Sequence, residues 1–485
     1  MRKRFDRWGR WAALLSLLIL APGVVLPGSH AEAAAPRPDI VIIYMDDFSP
    51  AAARLWSDRS RTPALARFGR TGITLNASGS TPLCCPARAN LLTGRHGHRN
   101  GVTRNDIGRY DPKDTIGVRM ARSGYRTAFI GKFLNGLSSR APTHRSVLRY
   151  ARGWDVFDVI WQNQGRFYDY RRWTRRGVSF HGSGARDHSS RVAGVRAARA
   201  IRATPARKPL FMVVSLYDGH KPFTPMARFE GHPSCRGLPL HASASFNEVD
   251  VSDKPRYVRR QRRLGRSGIS LRSRCQAILT VDWVTQRVRR ALQRSGRLDD
   301  ALLLFMADNG SLLGEHRLTG KTYPYATPVP MYALWPRRWG SGPRAPLDPV
   351  STVDLAPTFC ALAGCRMRGA DGIDLLPLLD GRVPSLDRRF IYEEMLHPGP
   401  REDGRPAWYG VRTTLGYSDT LWVYTEYATG EKELYDLGRD PDQLRNLAGR
   451  DRLKEVQVEL HRMLWRRVVS RHRVRFSTSR LDEGG

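Results

Sequence analysis

Two cysteines stand side by side in Leu83-Cys84-Cys85-Pro86-Ala87-Arg88, and Leu92-Thr93-Gly94-Arg95 follows shortly after. Thiols beside a proline and an arginine can be a buried pair in a tight turn, a vicinal disulfide or a reactive centre. A second set of residues offers hard ligands. Asp46-Asp47 directly follow the apolar run Asp39–Met45, and Asp308-Asn309-Gly310 directly follow Ala301–Ala307. In open parallel sheets, ligands bind at the carboxyl ends of the strands. Three carboxylates and an amide oxygen at two such ends make an all-oxygen set, which suits Ca²⁺ or Mg²⁺ rather than zinc. Asp and Asn also cap helices and make turns. Two such groups, each directly after an apolar strand, point to metal.

These segments resemble the sulfatase family. Its signature is Cys-x-Pro-x-Arg followed by Leu-Thr-Gly-Arg. By position its reactive cysteine is Cys84, and Cys85 is the variable residue. The family's modifying enzyme oxidises that cysteine to formylglycine before folding, so the resemblance implies a formylglycine-generating enzyme as a maturation partner. Gly124–Gly136 (GYRTAFIGKFLNG) is similar to the family's second active-site segment, in which Lys132 contacts the sulfate. Tyr217–Pro222 (YDGHKP) resembles the segment that places His220 on the sulfate or leaving group. Asp308–Lys321 (DNGSLLGEHRLTGK) and Leu434–Leu447 (LYDLGRDPDQLRNL) resemble later family segments, and all occur in family order. Two positions depart from the pattern. Ala87 stands where Ser is more frequent, and Leu134, beside Asn135, stands where many members have His. The Lys-aromatic-Leu-Asn pattern and the double cysteine resemble the N-acetylglucosamine-6-sulfatase-like branch.

The resemblance implies a metal set of Asp46, Asp47, converted Cys84, Asp308 and Asn309 around Ca²⁺, with Mg²⁺ as the alternative. It implies catalytic roles for Cys84, Arg88, Lys132, His220 and Lys321. Lys132, Asn135, His220, His316 and Lys321 would face the substrate. His220 or Lys321 would protonate the leaving oxygen, with His316 behind them. The conversion has a chemical reason. A serine alcohol could attack sulfur, but the resulting ester would be as stable as the substrate. A hydrated aldehyde carries two hydroxyls on one carbon; one attacks and the other later loses its proton and expels sulfate. The expected substrate is a sulfated small molecule or glycan. Two alternatives remain at this stage: a phosphonate or phosphate monoester hydrolase of the same superfamily, and a non-catalytic protein that binds sulfated glycan.

The elements that must position these residues are legible from hydrophobic pattern. Asp39–Met45, Gly124–Gly131, Pro209–Tyr217, Ala301–Ala307 and Pro330–Trp335 are near-continuous apolar runs, as expected of strands buried on both faces. Helices are predicted at Cys275–Gln293 and Val353–Ala363. The alternation predicts an α/β fold, with a large mainly parallel sheet sandwiched by helices. Beyond residue 385, short strands at Phe390–Glu394, Gly410–Thr414, Thr420–Tyr427 and Glu433–Leu437, then a helix at Arg452–Val468, predict a smaller C-terminal α+β domain containing an antiparallel sheet. The predicted divisions are a signal peptide at 1–34, a catalytic α/β domain at 36–385, the small domain at 386–475 and a tail at 476–485. Arg140–Arg191 and Ala227–Arg274, rich in Arg, Gly, Ser and aromatics, read as long insertions near the substrate mouth.

Composition bounds the setting. A net charge of +35, mostly from arginine, either concentrates polyanions or reflects arginine spread over the whole surface. Arg2, Lys3 and Arg4, the apolar Trp11–Leu26 and the small residues that follow form an export-signal pattern. The expected location is secreted or cell-envelope, outside the cytoplasm, with no stable membrane span after cleavage. Nothing resembles a nucleic-acid-reading motif. The six cysteines admit three disulfides. If Cys84 is consumed, Cys360 with Cys365 and Cys235 with Cys275 are plausible pairs with Cys85 left over, and six reduced thiols remain an alternative.

Overall fold

The structure, a computed structural model, describes residues 37–50, 61–162, 165–238, 243–265, 271–397 and 404–469. The expected export signal and the expected tail lie outside these residues. Strand β1 (Asp39–Met45) is followed by helix α1 (Pro63–Thr71), the short strand β2 (Ile73–Thr74), helix α2 (Cys84–Thr93) and strand β3 (Arg126–Gly131). Next come β4 (Val156–Gln162), β5 (Tyr170–Thr174), β6 (Gly177–His181), α3 (Ser189–Arg202) and β7 (Leu210–Ser215). The long helix α4 (Leu271–Arg294), β8 (Ala301–Ala307), β9 (Met331–Leu334) and α5 (Leu355–Ala363) complete this part.

The nine strands form one mixed sheet in the order β2-β9-β8-β1-β7-β3-β4-β5-β6. The five strands from β8 to β4 run parallel, and antiparallel strands flank them on both sides. The apolar runs are continuous because both faces are covered. Ile40, Ile42 and Tyr44 of β1 pack with Leu91 and Leu92 of α2 and Phe359 of α5. Val41, Ile43 and Met45 pack with Ala197 and Ile201 of α3 and Ile278, Val281 and Val284 of α4. Four further strands, β10 (Phe390–Met395), β11 (Trp408–Thr413), β12 (Trp422–Tyr427) and β13 (Lys432–Asp436), form an antiparallel sheet in sequence order. Helix α6 (Lys454–Val469) follows, and its Leu460, Met463 and Leu464 cover Tyr409, Val411 and Tyr424.

Two expectations need correction. Met331–Leu334, read as one more strand of the parallel set, pairs antiparallel with β8. Arg140–Arg191 is not an insertion loop: it supplies three strands of the main sheet and the start of α3. Its arginines hid this. Arg172 is fully buried in β5, where its Nε donates to Asp158 Oδ1 of β4 at 2.6 Å. A charge neutralised across two strands looks polar in a linear reading. The cysteines pair as Cys235–Cys275 and Cys360–Cys365, and Cys84 and Cys85 are free and buried.

One buried histidine makes the fold sensitive to acid. His188 precedes α3; Ser190 N–H donates to its Nδ1 at 3.3 Å and its Nε2 lies 3.0 Å from Thr224 O. These partners call for the neutral ring with its proton on Nε2. Burial lowers its pKa from 6.5 to about 4, against the pull of Thr224 O. Between those values the unfolded chain takes up a proton that the folded protein refuses. Stability is therefore complete above 6.5 and falls as pH drops towards 4, by roughly 3 kcal/mol for this shift. Denaturant titrations at pH 7 and pH 4.5 should show this loss, and His188→Gln should show less of it.

Candidate active site

The sheet register brings the carboxylates together. Strands β1 and β8 are neighbours, with Met45 opposite Ala307, so Asp46 and Asp308 leave the sheet side by side at its carboxyl edge. Both are fully buried. Asp47 N–H donates to Asp308 Oδ1 at 3.1 Å, and Asn309 Nδ2 donates to Asp47 Oδ1 at 2.8 Å.

Helix α2 points its first residue at this cluster. Leu83 is extended, Cys84 opens the helix, and Cys85 N–H, one of the amides left unbonded at a helix start, donates to Asn105 Oδ1 at 3.0 Å. Cys84 Sγ lies 3.3 Å from Asp46 Oδ1, 3.7 Å from Asp47 Oδ1 and 2.6 Å from Lys321 Nζ. Arg88 falls one turn later on the same helix face. Its Nε donates to Asp308 Oδ2 at 2.8 Å, and its Nη1 donates to Ser215 Oγ at 2.6 Å and Lys132 O at 3.2 Å. Its guanidinium lies 4.8 Å from the Tyr44 ring centre.

Two glycines permit the remaining approaches. Gly131 has φ +114°, and a Cβ there would sit 1.8 Å from Ser215 O. That close contact between β3 and β7 delivers Lys132, whose Nζ bonds Asp46 Oδ2 and lies 4.9 Å from the Tyr217 ring centre. Gly219 has φ +103°, and a Cβ there would sit 1.9 Å from Asp46 O. The next residue, His220, keeps Nε2 3.7 Å from Asp47 Oδ2, with about a third of its side chain (36%) exposed. Lys321 Nζ also bonds Asp47 Oδ1.

The structure thus gathers Asp46, Asp47, Cys84, Arg88, Lys132, His220, Asp308, Asn309 and Lys321. Two residues named from sequence stand apart. His316 Nδ1 bonds Glu248 Oε2 at 2.6 Å, and its ring lies tilted against Tyr325 with ring centres 4.1 Å apart; it bonds none of the clustered groups. Asn135 meets the helix through its backbone oxygen, 3.9 Å from Cys85 Sγ, while its side-chain oxygen is buried without a hydrogen bond.

Charge in the cluster is uneven. Burial opposes ionisation of Asp46, but Lys132, His220, Arg88 and Lys321 outweigh it and hold the carboxyl well below its usual range. Burial and then Asp46 push Asp308 up to about 7, despite Arg88 and Lys132. Burial, reinforced by Asp46, drives the Cys84 thiol far up over the pull of Lys132 and Lys321, so an unmodified thiol keeps its proton. Burial also opposes charge on the two lysines, yet Asp46 beside Lys132 and Asp47 beside Lys321 keep both ammonium groups charged.

The donor set fits a hard divalent cation. Ligand atoms of Asp46, Cys84 and Asp308 lie within 4.8 Å of one another. Asn309 Oδ1 is buried there without a hydrogen-bond partner. A buried acceptor left unsatisfied is costly, and crowded carboxylates repel. A bound cation relieves both, and oxygen donors select calcium or magnesium.

The family model for sulfatases matches residues 38–365, more than half of the chain. The chain belongs to the sulfatase family. This sulfatase also matches, over residues 314–470, the model described as the C-terminal part of N-sulphoglucosamine sulphohydrolase. It is 27% identical to an arylsulfatase of Volvox carteri over 90% of its own length and 75% of the relative's. It is 24% identical to the N-acetylglucosamine-6-sulfatase of Homo sapiens, over 89% of its own length and 85% of the relative's. A solved structure of a protein in complex with its substrate, D-glucosamine-2-N,6-O-disulfate, shares the fold with a TM-score of 0.73 and 21% identity, over 89% of this chain and 97% of that one. The sulfatase is therefore an enzyme, a sulfuric ester hydrolase, and a purely glycan-binding role falls away. Among its described residues, no helix is long and apolar enough to cross a membrane.

Sequence reasoning gave no role to Ser215, Tyr44 or Asn105, which hold Arg88 and the start of α2 in this sulfatase. Ser215 and Tyr44 end or nearly end strands that flank the site, so the strand-end rule could have found them. Nothing local marks Asn105.

Proposed function

We propose that this sulfatase removes sulfate monoesters from a sulfated carbohydrate, with an amino sugar sulfated at the 6-position as the candidate substrate. Its nucleophile derives from Cys84 converted to formylglycine by a formylglycine-generating enzyme, and its cation is Ca²⁺, with Mg²⁺ as the alternative. Export from the cytoplasm, and division into a catalytic part at 36–385 and a small part at 386–475, belong to the same reading. The observation that carries it is the placement of Cys84: buried at the head of a helix, with Asp46, Asp47 and Lys321 around its sulfur.

Formylglycine, when present, supplies a hydrated aldehyde that accepts and later releases sulfate. Asp46, Asp47, Asp308 and Asn309 would hold the cation, which would supply Lewis acidity to sulfate oxygens. The remaining work falls to side chains. Lys132 and Lys321, charged and fixed on Asp46 and Asp47, face the negative charge that gathers on sulfate oxygens. Arg88 fixes Asp308 and the start of α2 relative to β7. His220, partly exposed at the mouth and with its Nδ1–H donating to Lys221 O at 2.7 Å, offers in its doubly protonated form the Nε2 proton to the leaving sugar oxygen.

The test joins peptide mass analysis at Cys84 with product release from a substrate panel. The Cys84 peptide should be lighter than the thiol form by the difference between a thiol and an aldehyde. Glucosamine 6-sulfate and N-acetylglucosamine 6-sulfate should release sulfate faster than an aryl sulfate, an aryl phosphate or a phosphonate monoester. Chelation should stop turnover and added calcium should restore it. Fastest turnover of the phosphonate monoester would reject the reading in favour of the phosphonate hydrolase alternative.

A further inference from the structure

We infer that Arg405, just ahead of β11 and so between the first two strands of the C-terminal sheet, is a positioning residue: it clamps the Lys321 carbonyl and the Thr322 hydroxyl and so fixes the Lys321 ammonium against Cys84. This rests on Lys321 acting in sulfate hydrolysis, as proposed above.

Lys321 ends in a long, flexible chain, yet its Nζ must meet both Cys84 Sγ and Asp47 Oδ1. A preorganised charge of this kind needs a fixed anchor. The anchor here is strained. Thr322 is β-branched and adopts φ +80°, in the left-handed region that such residues avoid. A conformation of that kind persists only where its surroundings over-determine it, and such strain gathers at functional sites.

Every polar group of Thr322 is held. Its N–H donates to Pro82 O at 3.1 Å, two residues before Cys84. Its carbonyl accepts from Trp408 Nε1 at 3.0 Å. Its hydroxyl accepts from Arg405 Nη1, which also donates to Lys321 O at 2.5 Å. Arg405 is itself buried, with its guanidinium 4.0 Å from the Tyr323 ring centre. The same strained residue thus ties together the loop entering the nucleophile helix, the lysine that touches the nucleophile and two side chains more than eighty positions later. Without the clamp, the peptide after Lys321 is free to relax and the ammonium shifts. The expected signature is lost turnover with the fold intact.

The test measures sulfate release and thermal midpoint for the full-length, matured enzyme and for Arg405→Ala, Arg405→Lys, Lys321→Ala, Thr322→Gly and the Arg405→Ala/Lys321→Ala pair. Arg405→Ala should lower kcat about 10²-fold, the scale expected for a small misplacement of a catalytic group, with a much smaller change in KM. Guanidinium added to that variant, or lysine at the position, should restore part of the loss. Adding Arg405→Ala to Lys321→Ala should cost nothing further, because both act through one ammonium. Thr322→Gly, which accepts φ +80° without strain, should lose kcat while its midpoint stays at or above that of the unaltered enzyme. It carries the test should Arg405→Ala fail to fold. Full kcat in Thr322→Gly, or losses that multiply in the double variant, would overturn the clamp alone. No sulfate release from the unaltered enzyme would instead overturn the functional reading, and the clamp with it.

Discussion

Replacing Cys84 with alanine is expected to lower turnover by about four orders of magnitude or more while the protein still folds. The two halves of this expectation have separate causes. Cys84 is the first residue of α2, where alanine is an excellent helix former, and only one sulfur atom is lost from a buried position. The neighbouring carboxylates keep their cations: Lys132 still bonds Asp46, Lys321 still bonds Asp47 and Arg88 still bonds Asp308. Chemistry, in contrast, has no second group able to carry two hydroxyls on one carbon among the clustered residues, which are carboxylates, an amide, cations and His220. Cys84→Ser separates nucleophilicity from release. Its alcohol can take sulfate once but has no second hydroxyl to expel it, so the variant should gain one sulfuryl group by mass and then stop. Turnover of a 6-sulfated amino sugar at the unaltered rate in Cys84→Ala would remove the central assignment.

Much of the site was legible because it sits where chain and sheet geometry meet. Asp46 and Asp308 each follow an apolar run, and parallel neighbours must end at the same edge, so the pattern of apolar runs alone brings them together. Nothing local marks the helix of Cys84, since Leu83-Cys84-Cys85-Pro86 contains no capping side chain; the cap comes from Asn105, distant in sequence. His316 shared its segment with Lys321, yet the chain turns between them and gives His316 to Glu248. Linear proximity carried no information about which face each residue reached. Strand β5 was lost for a similar reason, because burial of Arg172 depends on Asp158 of another strand. The grip of Arg405 on Lys321 was equally hidden: a cation bonded to a carbonyl leaves no pattern in spacing or composition.

Replacing Arg88 with methionine should destabilise the protein by about 3–5 kcal/mol and abolish turnover, since removing one member of a buried ion pair strands the other. Arg88 is 1% exposed, and Asp308 beside it is fully buried. Burial and Asp46 already push Asp308 towards its neutral form, and Arg88 is the first of the cations that hold it back. Methionine matches the length of the stem but leaves Asp308 Oδ2 and Ser215 Oγ without their donor. Denaturant titration with a chelator present should show the full loss. Added calcium should narrow the gap, because a cation bound by Asp46 and Asp308 replaces part of the missing positive charge. Arg88→Lys should then divide the two effects. An ammonium restores charge near Asp308 and with it much of the stability. It cannot span Asp308 Oδ2, Ser215 Oγ and Lys132 O as one planar fork does, so Lys132 O is left with the Ser215 Oγ bond alone and kcat stays low. Recovery of kcat in step with stability would mean that Arg88 contributes only its charge.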